Sequence, residues 1–227
     1  MMYETRHRFH QELDELETRT LEGLDLVVGQ LDRALESVRG QDVELAALVI
    51  ADDDRVDGRY LEVHQGVLSL LACQAPVAGD LRRIAALLHV IRCVERMGDQ
   101  CVNVAKLVPL AGEPAPTDSM ILDAIERMGQ LARRDVTTTR DAFKTRDLAV
   151  ARDLIGHGAR IGRLNREIFR RAVQIGDNLA MREWAMFMIL VARALERIGD
   201  NAVAIAEQTV FVVTGALGGL PDVSRPV

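Results

Sequence analysis

The sequence predicts an all-α protein made of two tandem, internally duplicated three-helix bundles, six long helices in total. Three observations predict it. Hydrophobic residues make up 48% of the 227-residue chain while aromatics make up only 4%, so the core must be aliphatic and suits packed helices better than stacked sheets. No stretch alternates apolar and polar residues for long, whereas apolar residues recur at alternating steps of three and four, the period of a helix face. The chain also repeats itself: ERMGD at 95–99 returns as ERIGD at 196–200, and DVELAALVI at 42–50 returns as DLAVARDLI at 147–155.

The two pairs of anchors are offset by 101 and 105 positions, so the second copy is four residues shorter between them. That is about one helical turn, which a shorter helix end absorbs without changing which faces meet. In the first copy helices are expected over 4–39, 42–73 and 77–110, broken at Gly40 and at Ala75-Pro76. In the second they are expected over 119–144, 146–175 and 179–214, broken at Thr145 and at Gly176-Asp177-Asn178. Short connections make neighbouring helices antiparallel, each burying its apolar stripe on the others. The segment AGEPAPTD at 111–118 is the linker, rich in residues that stop a helix. Residues 1–112 form the first bundle, 118–216 the second, and 217–227 a flexible tail.

Several function classes are disfavoured. The net charge is −6, with acids and bases interspersed and no basic block, which argues against nucleic-acid binding. The N-terminus MMYETRHRFH is polar and predicts no secretory signal. The longest apolar run, AMFMILVA at 185–192, is too short to span a bilayer. Cys73, Cys93 and Cys101 are scattered without ligand-like spacing and are expected to be reduced core thiols of a cytoplasmic protein. No Ser/His/Asp grouping, P-loop or glycine-rich phosphate cradle suggests an enzyme.

What interrupts the apolar stripes matters most. On the second helix the stripe runs Val49, Asp53, Val56, Tyr60, Val63, Val67, Leu70; on the third it runs Leu81, Ile84, Leu88, Ile91, Glu95, Gly98, Val102, Ala105. Asp53 and Glu95 occupy slots where an apolar residue is expected, and Asp57 and Asp99 stand one turn further on. Unpaired carboxylates on a core-facing stripe cost several kcal/mol, so a cation must face them. Two sources are open: the chain's own Arg55, Arg92 and Arg96, or a metal ion suited to oxygen donors. Gly98 is a helix-interior glycine that permits a close neighbour. Asp80, near the start of the third helix, complements the helix dipole. ERMGQ at 126–130 echoes the motif out of register and is taken as coincidence.

The segment LACQAPVAGDLRRIAALLHVIRCVERMGDQCVNVAK resembles the PhoU family, with its P-x-A-x-D-L-R turn followed by E-R-x-G-D-x-x-x-N. ALERIGDNAVAIAEQTVFVVTG and the acidic DDDRVD at 52–57 match as well, and the resemblance covers nearly the whole chain. It implies six helices in two bundles. It also implies a cytosolic, often dimeric, non-enzymatic negative regulator of phosphate uptake and of the phosphate-starvation response. Such a regulator would touch the cytosolic subunits of a phosphate ABC transporter and a sensor histidine kinase, and meet the membrane only through them. A metal, iron or zinc, is implied on the acidic motifs: Asp53, Asp57, Glu95 and Asp99 in the first repeat, with Asn103 near, and Glu196 and Asp200 in the second. There the pattern departs, because Gly158 and Gly162 stand where Asp53 and Asp57 would repeat, and Ala204 stands for Asn103. His157 lies beside the gap. The metal is therefore expected mainly at the first repeat.

Two other classes compete. One is a carboxylate-bridged metal store or oxidase, but no Glu-x-x-His pair of the ferritin-like kind accompanies the acidic motifs. The other is a structural helical adaptor whose acids are all paired with arginine.

Overall fold

The structure is a computed structural model that describes residues 2–74, 76–112, 116–157 and 159–216, with side chains from residue 6 onward apart from those of 157 and 159. Gly158, the His157 side chain and the predicted tail at 217–227 lie outside the described residues. Every regular element among those residues is helical: α1 (Met2–Gly40), α2 (Val43–Ala51), α3 (Asp53–Cys73), α4 (Ala78–Leu107), a 3-10 turn (Pro109–Ala111), α5 (Ser119–Thr145), α6 (Leu148–His157), α7 (Ala159–Val173) and α8 (Leu179–Thr214). The expected second helix of each half is thus assigned as two helices, α2 with α3 and α6 with α7.

The joints between first and second helices are built alike in both halves. Gln41 and Arg146, 105 positions apart, adopt left-handed φ of 52° and 59°. The following amides, Asp42 N and Asp147 N, each donate back at 3.0 Å to the carbonyls of Ser37 and Ala142, the six-to-one bond of a Schellman ending. The Asp42 side chain then caps α2 by accepting from Leu45 N at 2.8 Å, and Asp147 accepts from Ala149 N and Val150 N. The turns therefore pivot on Gln41 and Arg146, one residue past the breaks expected at Gly40 and Thr145.

Packing places α4 and α8 against each other at the centre; α1 lies on α3 and α4, α5 and α7 lie on α8, and α1 also meets α5. One aliphatic core runs through both repeats, from Leu13, Leu24 and Leu31 of α1 through Ile84, Leu87 and Met97 of α4 to Met128 of α5 and Leu195 and Ile198 of α8. The stripe predicted on α4 is only one of two. Leu87, Val90, Val94, Met97, Cys101 and Val104 are buried as well, because α4 is covered on a second side by α8, while the predicted Leu81 is half exposed. Cys93 and Cys101 are core thiols as expected; Cys73 is exposed, since it ends α3 where the chain leaves the bundle.

The α1–α5 contact is laced by ion pairs running in opposite directions along the two helices. Glu17 pairs with Arg146, Asp25 with Arg140, Asp32 with Arg133, and Arg39 with Glu126. Gly129 of the echo ERMGQ lies in this seam, where an added Cβ would stand 2.4 Å from Leu35 Cδ1. The echo thus has a packing role.

Candidate functional site

Asp53 opens α3 where the second helix is broken. The break has a visible agent: Gln30 of α1, 1% exposed, sends its Nε2 to the Val49 carbonyl at 3.3 Å and to Asp53 Oδ1 at 3.2 Å. A side chain inserted into the helical ladder is one of the few causes of a sharp kink. The neighbouring Asp52 is held by Arg33 of α1 at 2.7 Å. Opposite the break stands Gly98 of α4. A Cβ there would lie 3.0 Å from Val56 Cγ1 and 3.2 Å from Asp53 Oδ1, so glycine lets the two helices touch at the acid.

Glu95 lies on the same interface. Its Oε1 accepts from Arg92 at 3.1 Å, three residues earlier on α4, while its Oε2 is buried with no hydrogen-bond partner. Asp57 and Asp99 are exposed, but their charges reach inward. Burial first, then Asp57 and Asp99, push the Asp53 carboxyl above its ordinary range, outweighing the Gln30 hydrogen bond. Burial likewise raises Glu95, with Asp99 and Asp57 adding to it and Arg92 opposing. The structure therefore brings Asp53, Asp57, Glu95 and Asp99 into one field between α3 and α4. Asp53 is held by a neutral amide rather than by a guanidinium, and Arg92 serves only one oxygen of Glu95, so the chain's own arginines meet the need only in part. Asn103 is exposed one turn beyond.

The residues fit a metal in donor chemistry: carboxylate oxygens, an unpartnered buried Glu95 oxygen, and the unpartnered Gln30 Oε1 suit a hard or borderline cation. Among the described residues no group of three His, Cys, Asp or Glu that could hold a metal ion is formed; the four acids stand side by side without closing on one point.

The second repeat repeats the register and changes the chemistry. Ile161 covers Gly199, with an added Cβ 2.5 Å from Ile161 Cδ1, as Val56 covers Gly98. Gly162 stands where Asp57 stands, and its missing Cβ would come within 2.9 Å of Glu196 Oε1. Glu196 Oε2 instead accepts from Asn165 Nδ2 at 2.8 Å and from Arg193. Asp200 is raised by burial and by Glu196. Glu196 and Asp200 are thus neighbours, with the missing acids replaced by glycine and by donors. Gln30, Arg33 and Asn165 were absent from the sequence expectations. Gln30 left one signal, a polar residue on the apolar stripe Val27, Gln30, Leu31, Ala34.

A duplicated all-α scaffold with E-R-x-G-D helices crossing at its centre defines a narrow class of proteins. A family model of the PhoU domain matches residues 20–108 and 125–209, one match per repeat, and the chain belongs to the PhoU family. It is similar to the phosphate-specific transport system accessory protein PhoU homolog of Clostridium acetobutylicum, 29% identical over 96% of this chain and 100% of that one. The homolog of the same name from Caulobacter vibrioides is 30% identical over 95% and 94%. The crystal structure of PhoU from Pseudomonas aeruginosa superposes with a TM-score of 0.85 at 26% identity, covering 92% of this chain and all of that one. The phosphate transport system regulatory protein PhoU from Streptococcus pneumoniae has the same fold, with a TM-score of 0.85 at 24% identity over 93% and 100%. No helix among the described residues is long and apolar enough to cross a membrane.

Proposed function

We propose that this chain is a cytoplasmic, non-enzymatic accessory protein of a phosphate transport system. It restrains uptake and the phosphate-starvation response by contact with the transporter's cytosolic subunits and a sensor histidine kinase, and it works as a homodimer. The observation that carries this reading is the family match to both repeats, on relatives named as accessory proteins of phosphate-specific transport and covered over nearly their whole length. Each repeat is proposed as one unit of the duplication, 1–112 and 118–216. Capture of the transporter's ATPase subunit by this chain, compared at high and low phosphate, tests the reading. Deleting the gene should also leave phosphatase expression unrestrained in rich medium; normal repression in its absence would refute the assignment.

The first repeat is proposed to hold a metal ion, iron or zinc, through Asp53, Asp57, Glu95 and Asp99. The ion would supply the positive charge that Gln30 and Arg92 leave incomplete. Support comes from the raised carboxyls of Asp53 and Glu95 and from the unpartnered Glu95 Oε2. In the second repeat Asn165 and Arg193 already serve Glu196, which favours a structural role for Glu196.

A further inference from the structure

The two copies of the E-R-x-G-D helix leave one residue of the motif without a task. Arg92 and Arg193, three residues before the glutamates, bind Glu95 and Glu196. The motif arginines themselves, Arg96 and Arg197, make no hydrogen bond or ion pair with a described residue through their guanidinium groups. Both line one surface cavity of about 450 Å3 between α4 and α8. Gln100 and Asn201, also 101 positions apart, line it with them, and Asp200 and Ala204 complete the wall; the Asn201 amide gives one hydrogen to the Arg197 carbonyl at 2.8 Å and keeps its second for a ligand.

We propose that this cavity binds a phosphate-class oxyanion, clasped between Arg96 and Arg197 with Gln100 and Asn201 as neutral donors and Asp200 as the acceptor that selects a protonated anion. A guanidinium is a planar fork whose paired N–H groups match two oxygens of a tetrahedral anion. Two such forks from different helices, with amide donors beside them, are the chemistry such an ion requires. Asp200 gives the site its preference. An ionised carboxylate only accepts hydrogen bonds, and it repels an anion that has no proton to offer. Orthophosphate carries at least one proton at neutral pH and donates it in a hydrogen bond to Asp200; sulfate carries none and meets bare like-charge repulsion. Because the two arginines come from different repeats, the bound ion would tie the halves together at their central contact. The choice of phosphate as ligand rests on the regulatory reading above, whereas the anion chemistry stands on the four donors alone.

Calorimetric titration of orthophosphate into the full chain, with chelator present and ionic strength fixed, tests this directly, with sulfate run in parallel. Saturable phosphate binding is expected, with sulfate weaker by roughly tenfold or more. Arg96→Gln and Arg197→Gln should each weaken phosphate by roughly tenfold, the loss of a charge-assisted hydrogen bond. Asp200→Asn should bring sulfate close to phosphate. All three side chains are exposed, so unchanged helicity and thermal midpoint will certify the variants as folded. Absence of saturable phosphate heat overturns the site, as does full binding by the Arg96→Gln, Arg197→Gln double variant. Continued exclusion of sulfate by Asp200→Asn overturns the selective role of Asp200. Retention on phosphatidic acid vesicles without any response to free phosphate would assign the arginines to a lipid headgroup and overturn the free-ion source. Binding is read on the isolated protein, so its loss leaves the transporter contact standing, and failure to capture the ATPase subunit leaves the anion site standing.

Discussion

The Gln30 side-chain amide donates to the Asp53 carboxylate at 3.2 Å across the break between α2 and α3. The same nitrogen also meets the Val49 carbonyl, so the amide orientation follows from two acceptors on one side. A neutral donor fixes where the carboxylate points without cancelling its charge, and Asp53 accordingly stays raised. A double-mutant cycle of Gln30→Met and Asp53→Asn, read by chemical denaturation, should return a coupling of about 1.5–3 kcal/mol, as for a hydrogen bond to a charged group. Additive effects would show that the amide serves only Val49.

If a cation completes the first site, removing it must cost stability there and nowhere else. Chelation should lower the thermal midpoint of the wild type by roughly 5 °C, the effect of losing a ligand held well above its dissociation constant. Glu95→Gln should erase that shift, and Glu196→Gln should leave it intact. Gly162→Asp restores an acid beside Glu196 and is expected to raise the metal content measured by elemental analysis. A midpoint insensitive to chelator in the wild type would remove the case for a resident metal.

The helices, the duplication and its register were legible because each depends on local periodicity. The offsets of 105 and 101 put Val56 over Gly98 and Ile161 over Gly199, as the structure shows. The acids on the apolar stripes were legible for the same reason, since a charge in a core slot breaks a visible pattern. Their partners were not. Gln30 is a single polar residue on a long helix, and nothing local says that it faces the break in the next one. The α1–α5 ion pairs join residues about ninety to one hundred and thirty positions apart, and their complementarity appears only when the two helices are laid antiparallel. The second buried side of α4 escaped because one stripe describes a helix covered on one side, whereas α4 is covered on two.

Glu17 is the most enclosed acid of that ladder. Only 13% of its side chain is exposed, and it accepts from Arg83 at 3.0 Å and Arg146 at 2.5 Å. Arg146 also lies over the Phe143 ring and reaches the Phe143 carbonyl. Glu17→Gln would leave the Arg146 guanidinium short of charge, while Arg83 keeps Asp14 at 2.6 Å, a loss of about 2 kcal/mol. Asp32→Asn, at the exposed pair with Arg133, should cost under about 1 kcal/mol and fade with salt. Urea denaturation at low and high salt separates the two; equal losses would mean that burial does not grade the ladder.

Thiol reactivity follows burial. The Cys93 thiol is pushed up to about 11, and Cys101, with Asp53 adding to burial, is pushed higher still. Cys73 is exposed. A thiol reagent at mildly alkaline pH should therefore label Cys73 alone in the native protein and reach the other two only on unfolding. Rapid labelling of Cys101 in the folded state would show that the α3–α4 interface opens.

Asp118 caps α5 by accepting from Ile121 N at 3.1 Å and holds Arg171 of α7 at 2.8 Å. The Arg171 hydrogen bond, against burial, keeps this carboxyl below its ordinary 3.8, with the Ile121 amide assisting. A depressed native value means that the unfolded chain binds the proton first. The stabilisation from Asp118 is thus complete above the ordinary carboxylate range and is lost as pH falls through the native value. Asp118→Asn keeps a capping oxygen but removes the charge facing Arg171, so it should cost about 1 kcal/mol at neutral pH. The gap between wild type and variant should close in acid, once the pH lies below the depressed native value. Denaturation curves at the two pH values measure it, and a gap that persists in acid would mean that the capping geometry, and not the charge, is what Asp118 contributes.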